Sequence, residues 1–284
     1  MSFRGPKGTY DVFPGGGGGQ EPHERPELWR WAEQTAGEFF RTHNYTEVRT
    51  PVFEEAGLFV RGAGEASDIV RKEMFVFEDK AGRELALRPE GTAGVVRSYV
   101  EHNLFKLAQP LKLWYAGPMF RHERQQRGRY RQHSQIGVEV LGSADLLVDV
   151  EVIALLYNFH RALGVREEVV YLNSLGDFET RGRYIPELRA FLEKNRSELD
   201  PDSVSRMDVN PLRTFDSKDP NTQALLDEAP SIGEFLSPEA EADFAAVREG
   251  LEALGIPYEV DERLVRGFDY YTSTIFEAKS GVLG

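Results

Sequence analysis

Two apolar stretches, 111–120 and 130–141, stand on either side of a short loop crowded with arginine. Each has strand length, and the short loop joins them as two strands of one sheet. Alternation along the second stretch puts Ile136, Val138 and Val140 on one face. Arg131, His133, Gln135, Gly137 and Glu139 fall on the other. A second hairpin is expected over 73–89, turning at Asp79-Lys80-Ala81-Gly82. Apolar periodicity marks helices at about 27–43, 91–102 and 145–163, the first on Leu28, Trp29, Trp31, Phe39 and Phe40. Short strands are expected at Tyr45–Pro51, where proline ends the run, at Tyr258–Val260 and at Tyr270–Phe276. The five glycines 15–19 are too costly in entropy for a helix or strand and read as a loop. Strands joined mainly by hairpins, with helices on one side, give an α+β fold on an antiparallel sheet.

Composition bears on the region between the last helix and the closing strands. From Asp177 to Gly250 there are 17 acidic and 9 basic residues, a net of −8 out of the chain's −13. Prolines at 186, 201, 211, 220, 230 and 238 divide this stretch into short helical patterns. It reads as a helical insertion separate from the strand-rich part. The chain holds no cysteine, which excludes a disulfide scaffold and fits the cytosol. No apolar run reaches the ~20 residues of a membrane span, so no membrane partner is expected. The N-terminus lacks a signal-peptide stretch. A pI near 5.1 argues against a general nucleic-acid coat but leaves room for a local basic groove.

That groove has a candidate. Phe120 to Arg131 carries five arginines against one glutamate, a net of +4 in an acidic protein. Guanidinium forks pair bidentately with phosphate oxygens at any working pH, so the loop suits a polyphosphate. A nucleic-acid backbone would use the same chemistry, and a plainly solvated basic loop is the third reading. Behind it, Gln135 and Glu139 flank side-chain-free Gly137, a plausible seat for the ammonium group of a small zwitterion; an ordinary solvent-facing strand side is the alternative. His133 can stack on a flat ligand. Glu90 and Thr92, at a strand-to-helix transition, can either cap that helix or face a ligand. Arg266, beside Gly267 and just before Tyr270 and Tyr271, can reach a pocket. Six histidines without metal spacing and no cysteine make zinc unlikely. No Walker-type or Rossmann-type glycine loop occurs, so any nucleotide is held by side chains.

Taken together these patches resemble the histidyl-tRNA synthetases, which are class II aminoacyl-tRNA synthetases. KGTYDVFP resembles the family's opening segment, and RTPVFE at 49–54 its motif 1, a proline-ended strand of the dimer interface. SDIVRKEMFVFEDKAGRELALRPEGTA at 67–93 is a long and specific match. FRHERQQRGRYRQ with QIGVEVLG is similar to motif 2, LVRGFDYYTSTIFE at 264–277 to the first histidine signature, and NPLRTFDSKDP at 210–220 to the insertion. His133-Ser134 stands where the family usually has Phe-His.

The resemblance implies a class II catalytic core over 1–175, a helical insertion over 176–250 and a return to the core over 251–284. It implies ATP as substrate with Mg2+ held chiefly by the phosphates, L-histidine and tRNA(His) as further partners, a homodimer and a cytoplasmic setting. Residue by residue, Arg121 would contact the ATP α-phosphate, Glu123 would lie near adenine, and Arg129 and His133 would assist the nucleotide site. Glu90, Thr92, Gln135 and Glu139 would surround the ammonium and ring of histidine. Arg266 would stabilise the reacting phosphate, and Tyr270 and Tyr271 would line the imidazole pocket. Arg181, Arg183 and Arg189 are the insertion's candidates for tRNA contact. The family's second, glycine-rich histidine signature, motif 3 with its ATP-clamping arginine, and the anticodon-binding domain would all be expected after Gly284.

Two other readings compete. A non-catalytic paralogue would resemble the regulatory subunit of ATP phosphoribosyltransferase, but those subunits tend to carry Asp-Met in place of Glu90-Gly91 and lack the HERQQRGRYR pattern. A basic-loop RNA-binding protein would leave the Gln135/Glu139 face unexplained.

Overall fold

The computed structural model describes residues 3–14, 25–64, 67, 69–123, 128–267 and 270–281. The expected glycine loop at 15–19, together with Arg124 and Arg127, lies outside them. The chain forms two compact units, 1–143 and 144–284.

In the first unit, helix α1 (Pro26–Thr42) starts on proline, whose missing N–H costs nothing at that position. It buries Ala36 and Phe40, and the Phe40 ring lies 5.5 Å from that of Trp114. Strand β1 is only Thr46–Glu47, shorter than the 45–51 expected, and pairs in parallel with Leu113 and Trp114. Strand β2 (Phe53–Glu55) leads into α2 (Ala56–Ala63). The expected hairpin is present as β3 (Val76–Glu78) and β4 (Glu84–Leu87). Asp79 Oδ1 accepts from the Ala81 and Arg83 amides at 2.8 and 3.0 Å, and Gly82 supplies the positive φ of 76° that closes the turn. Strand β4 is central between β2 and β3. Helix α3 (Thr92–Glu101) follows directly.

The long hairpin is β5 (Leu111–Phe120) and β6 (Gln132–Leu141), paired residue for residue from Leu111↔Leu141 to Phe120↔Gln132. The N-terminal segment is tied to it where β6 begins. The Arg131 amide donates to Gly8 O at 2.7 Å, and the rings of Tyr10 and Tyr130 meet edge to face at 4.7 Å.

The second unit opens with α4 (Leu146–Ala162), capped by Asp145. Strand β7 (Glu168–Ser174) then forms the centre of a sheet with β8 (Tyr258–Val260), parallel to it, and β9 (Thr274–Ser280), antiparallel. Helix α8 (Pro238–Ala253) packs with α4 over this sheet through Val150, Ile153, Val170, Leu172, Phe244, Val247 and Leu251. Between β7 and α8 lie α5 (Phe178–Lys194), α6 (Pro201–Met207) and α7 (Pro220–Leu226). They have a core of their own, built on Tyr184, Leu188, Leu192, Met207, Leu226 and Ile232.

The prolines that divide this stretch act mostly as starts rather than breaks. Pro201, Pro220 and Pro238 each open a helix behind a capping Asp200, Asp219 or Ser237. Four of the six strand pairings among the described residues are antiparallel, and helices are interspersed throughout, so the fold is α+β.

Strand β9 begins four residues later than expected. Ser273, with φ of 51°, interrupts the extended backbone, so Tyr270 and Tyr271 precede the strand instead of alternating along it.

Candidate active site

The polar face of β6 comes together as alternation requires. The ring of Tyr115, directly across from Gly137, occupies the space where a Gly137 side chain would sit: a Cβ there would lie 2.4 Å from the Tyr115 Cζ. The same ring would meet a Cβ on Gly91 at 2.2 Å. Two glycines at separate points of the chain are therefore small so that one tyrosine can lie between strand and helix. A third, Gly117, makes room for the Arg88 guanidinium, whose Nη2 would be 2.5 Å from a Cβ. Arg88 is buried and donates to Pro118 O at 2.9 Å and to Thr50 O at 3.0 Å, pinning β4 to β5.

Glu90 and Thr92 divide their roles. Both Glu90 carboxylate oxygens cap α3, accepting from the Thr92 amide at 2.5 Å and the Ala93 amide at 2.9 Å. A carboxylate at a helix N-terminus also gains from the macrodipole. The Thr92 hydroxyl donates to Glu139 Oε1 at 2.7 Å, bringing α3 and β6 together 47 residues apart in sequence. Burial pushes the Glu139 carboxyl up to about 7; the Thr92 bond opposes this and the nearby Glu90 charge adds to it. A carboxyl poised there is a group that a cationic ligand would ionise. Gln135 lies four residues before Glu139 on the same face, across from Gly117.

At the other end of the hairpin, Arg121 Nε donates to Pro89 O at 2.8 Å, fixing the guanidinium beside the β4–α3 junction. Glu123 stands between two arginines, 4.0 Å from Arg121 and 3.4 Å from Arg129. His133 is held below the ordinary histidine range by burial and then by the charge of Arg121, so it is neutral at pH 7. A neutral imidazole next to an arginine suits stacking on a flat ring. Glu90, Thr92, Gln135, Glu139, Arg121, Glu123, Arg129 and His133 thus all belong to the first unit, on β6 or on the segments bonded to it.

Arg266, Tyr270 and Tyr271 belong to the second unit. Arg266 Nη1 lies 3.8 Å from the Glu277 carboxylate. The two tyrosine rings stack at 4.9 Å with an interplanar angle of 20°, and Tyr271 packs against Leu175, Leu264 and Ile275. Arg181, Arg183 and Arg189 each donate to a backbone carbonyl of the same unit: Arg181 to Leu175 and Tyr271, Arg183 to Phe235, Arg189 to Asp208. Tyr115 and Arg88 are the residues that pattern reading passed over. Their signal was the glycines opposite them, which show only where a side chain is absent and not what fills the space.

Comparison with known proteins bears on the same residues. The histidyl-tRNA synthetase family model matches residues 23–280. A histidine–tRNA ligase of Rubrobacter xylanophilus is 75% identical over 284 residues, covering 100% of this chain and 67% of that protein. One from Thermosynechococcus vestitus is 49% identical, covering 100% and 64%. The chain therefore spans about two thirds of the length of the curated relatives it matches. The apo histidyl-tRNA synthetase of S. aureus superposes with a TM-score of 0.75 at 38% identity, over 98% of this chain and 61% of that one. The glycine-seated tyrosine, the capped α3 and the arginine-rich hairpin sit within a sequence matched from end to end, and the chain belongs to the histidyl-tRNA synthetase family.

Proposed function

We propose that the chain carries catalytic residues of a histidine–tRNA ligase, which activates L-histidine with ATP and passes the histidyl group to tRNA(His). The observation that carries this is the 75% identity, over every residue of the chain, to a protein named histidine–tRNA ligase. The geometry of the first unit supports it. A buried carboxyl raised to about 7 by its surroundings suits a substrate ammonium. The Thr92 hydroxyl engages Glu139 Oε1 and so fixes how that carboxyl is presented.

In this reading Glu139, with Gln135 and Thr92, orients the amino acid. Glu90 acts chiefly through the helix it caps. Arg121 meets the α-phosphate, neutral His133 stacks on adenine, and Glu123 holds Arg129 over the nucleotide. Arg266 is assigned the charge that develops on the reacting phosphate, and Tyr270 and Tyr271 the imidazole of histidine.

The histidine carboxylate attacks the α-phosphorus and pyrophosphate leaves; a ribose hydroxyl of the tRNA's terminal adenosine then attacks the carbonyl carbon of the adenylate, giving up its proton and forming the ester as AMP leaves. Such a displacement needs positioning and charge stabilisation more than covalent help from the protein. Mg2+ bound to the phosphates would supply further neutralising charge. Among the described residues no group of three or more His, Asp or Glu side chains is placed to hold a metal. In the same reading the catalytic core spans 1–175 and 251–284 and the insertion 176–250, a division that the separate core of α5–α7 supports.

A homodimer through motif 1 is supported by the exposed Val52, Phe53, Val76 and Phe77 on β2, β3 and their flanks. A cytoplasmic setting is part of the same reading; no described helix is long and apolar enough to cross a membrane. Against a regulatory paralogue stands the similarity itself. The relatives at 75% and 49% identity are both named ligases. The Bacillus halodurans structure described as an ATP phosphoribosyltransferase regulatory subunit/histidyl-tRNA synthetase is 24% identical at a TM-score of 0.70, a likeness of fold.

The test is pyrophosphate exchange into ATP, with histidine and with other amino acids as controls. It is run on this chain and on a version extended with the C-terminal third of the Rubrobacter xylanophilus ligase. Histidine-specific exchange in either version supports the ligase. Absence of exchange in both overturns it in favour of the paralogue.

A further inference from the structure

The segment 262–273 of the second unit, which carries Arg266, Tyr270 and Tyr271, lies between β8 and β9. Four of its described carbonyls, those of Glu262, Leu264, Gly267 and Tyr271, accept from side chains elsewhere in that unit. Buried Asn173, on β7, donates Nδ2 to both Glu262 O and Leu264 O at 3.0 Å. Arg213 donates Nη1 to Gly267 O at 2.7 Å. Arg181 donates to Tyr271 O and, at 3.3 Å, to Leu175 O. Both arginines come from the helical stretch, Arg181 from the first turn of α5 and Arg213 from the 3-10 segment Pro211–Asp216.

Arg213 is built for a single orientation. It is 8% exposed, and its Nε donates to Asp216 Oδ2 at 3.0 Å, so the carboxylate fixes the plane of the guanidinium whose other edge meets Gly267. A buried arginine that spends its donors on a loop carbonyl does so at a desolvation cost, which only a fixed geometry offsets. The carbonyl it holds belongs to the residue immediately after Arg266.

We infer that Arg213, oriented by Asp216, is a positioning residue: by fixing the Gly267 peptide it sets the direction in which Arg266 is presented. Arg181 does the same for the Tyr271 peptide on the far side of the segment. The helical stretch is thereby a support for the proposed catalytic arginine, whatever else it contacts. The inference rests on the ligase reading, since it concerns how Arg266 is aimed.

Lysine cannot reproduce a fork that bonds a carboxylate and a carbonyl at once, so Arg213→Lys keeps the charge and loses the geometry. The experiment is a double-variant cycle in histidine-dependent pyrophosphate exchange, on the extended version of the protein, with Arg213→Lys and Arg266→Lys alone and combined. Arg213→Lys is expected to lower kcat at least tenfold, with KM for histidine within about threefold and the melting temperature within a few degrees. In the Arg266→Lys background it should cost less than a further twofold, because the residue it aims has already been changed. Asp216→Asn should follow Arg213→Lys in direction with a smaller loss.

An equal loss from Arg213→Lys in both backgrounds, or no loss in either, overturns this proposal while leaving the ligase reading in place. An Arg266→Lys protein as active as the parent removes Arg266 from the chemistry, which overturns that assignment and this proposal with it. Absence of exchange in the parent refutes the ligase reading itself.

Discussion

Replacing Glu139 by glutamine should make the protein more stable and less able to bind histidine, and the first effect should depend on pH. In the fold, burial lifts the Glu139 carboxyl from its ordinary value of 4.5 to about 7. In the unfolded chain it returns to the ordinary value. Between those two pH values the folded state holds a proton that the unfolded state has released, so stability falls as pH rises across the interval and levels off above it. At 1.36 kcal/mol per pH unit, the ionised carboxylate costs the fold roughly 3 kcal/mol at pH 8. Below about pH 4.5 both states are neutral and the cost vanishes.

Glutamine is isosteric, keeps an oxygen to accept the Thr92 hydroxyl, and does not ionise. Glu139→Gln should therefore melt within a degree or two of the parent at pH 4.5–5 and roughly 5–10 °C above it at pH 8. Thermal unfolding at half-unit steps between these limits reads the difference directly. A gap that stays constant with pH would refute the burial argument, and so would a variant less stable at pH 8. The functional half is read in pyrophosphate exchange. KM for histidine should rise at least tenfold while KM for ATP stays within twofold, because the lost charge faces the amino acid and not the nucleotide. Stability gained and binding lost by one isosteric change would identify Glu139 as a group retained for its ligand at the expense of the empty fold.

Three other substitutions probe separate parts of the argument. Gly137→Ala places a methyl 2.4 Å from the Tyr115 ring, and the forced displacement should cost about 1–3 kcal/mol in urea unfolding; an unchanged midpoint would show that the ring is not confined. Asp200 is lowered to about 2: burial raises it, but the bonds from Ser203, Ser217 and Thr222 more than offset that. Its contribution is therefore present above pH 3.8 and lost as pH falls through about 2, and Asp200→Ala, which removes the N-cap of α6, should cost about 1 kcal/mol at pH 7 with a smaller penalty near pH 2. Arg266→Ala should abolish exchange and leave the melting temperature within about 2 °C; retained activity would remove Arg266 from the chemistry.

What the sequence disclosed, and what it hid, follows the range of the interactions. The helix expected over 27–43 is found at Pro26–Thr42, and the strand at 111–120 matches residue for residue, because each depends on periodicity within its own length. The strand at Glu168–Ser174 was not announced. It is the centre of its sheet, and Val169-Val170-Tyr171-Leu172 shows a continuous apolar run where a half-exposed strand would alternate. Glu90 and Thr92 were legible as either caps or ligand contacts. In the fold Glu90 takes the first role, and the Thr92 hydroxyl reaches a partner 47 residues away. Arg88 bonds carbonyls 30 and 38 positions distant, which no local pattern encodes.

The arginines of the helical stretch show the same limit from the opposite side. Charge is visible in a sequence, so Arg181, Arg183 and Arg189 invited a reading as contacts for an anionic polymer inside a segment of net −8. The partner of a charge is not visible. A connecting segment such as 262–273 leaves its carbonyls without strand or helix partners, and buried carbonyls must be satisfied from somewhere. Arginine, with five donors on a rigid fork, is the side chain best able to reach two such acceptors at once. In this acidic helical segment Arg213 and Arg181 serve the Arg266–Tyr271 stretch by holding Gly267 O and Tyr271 O, while Arg183 and Arg189 hold Phe235 O and Asp208 O, before any contact with a nucleic acid is invoked.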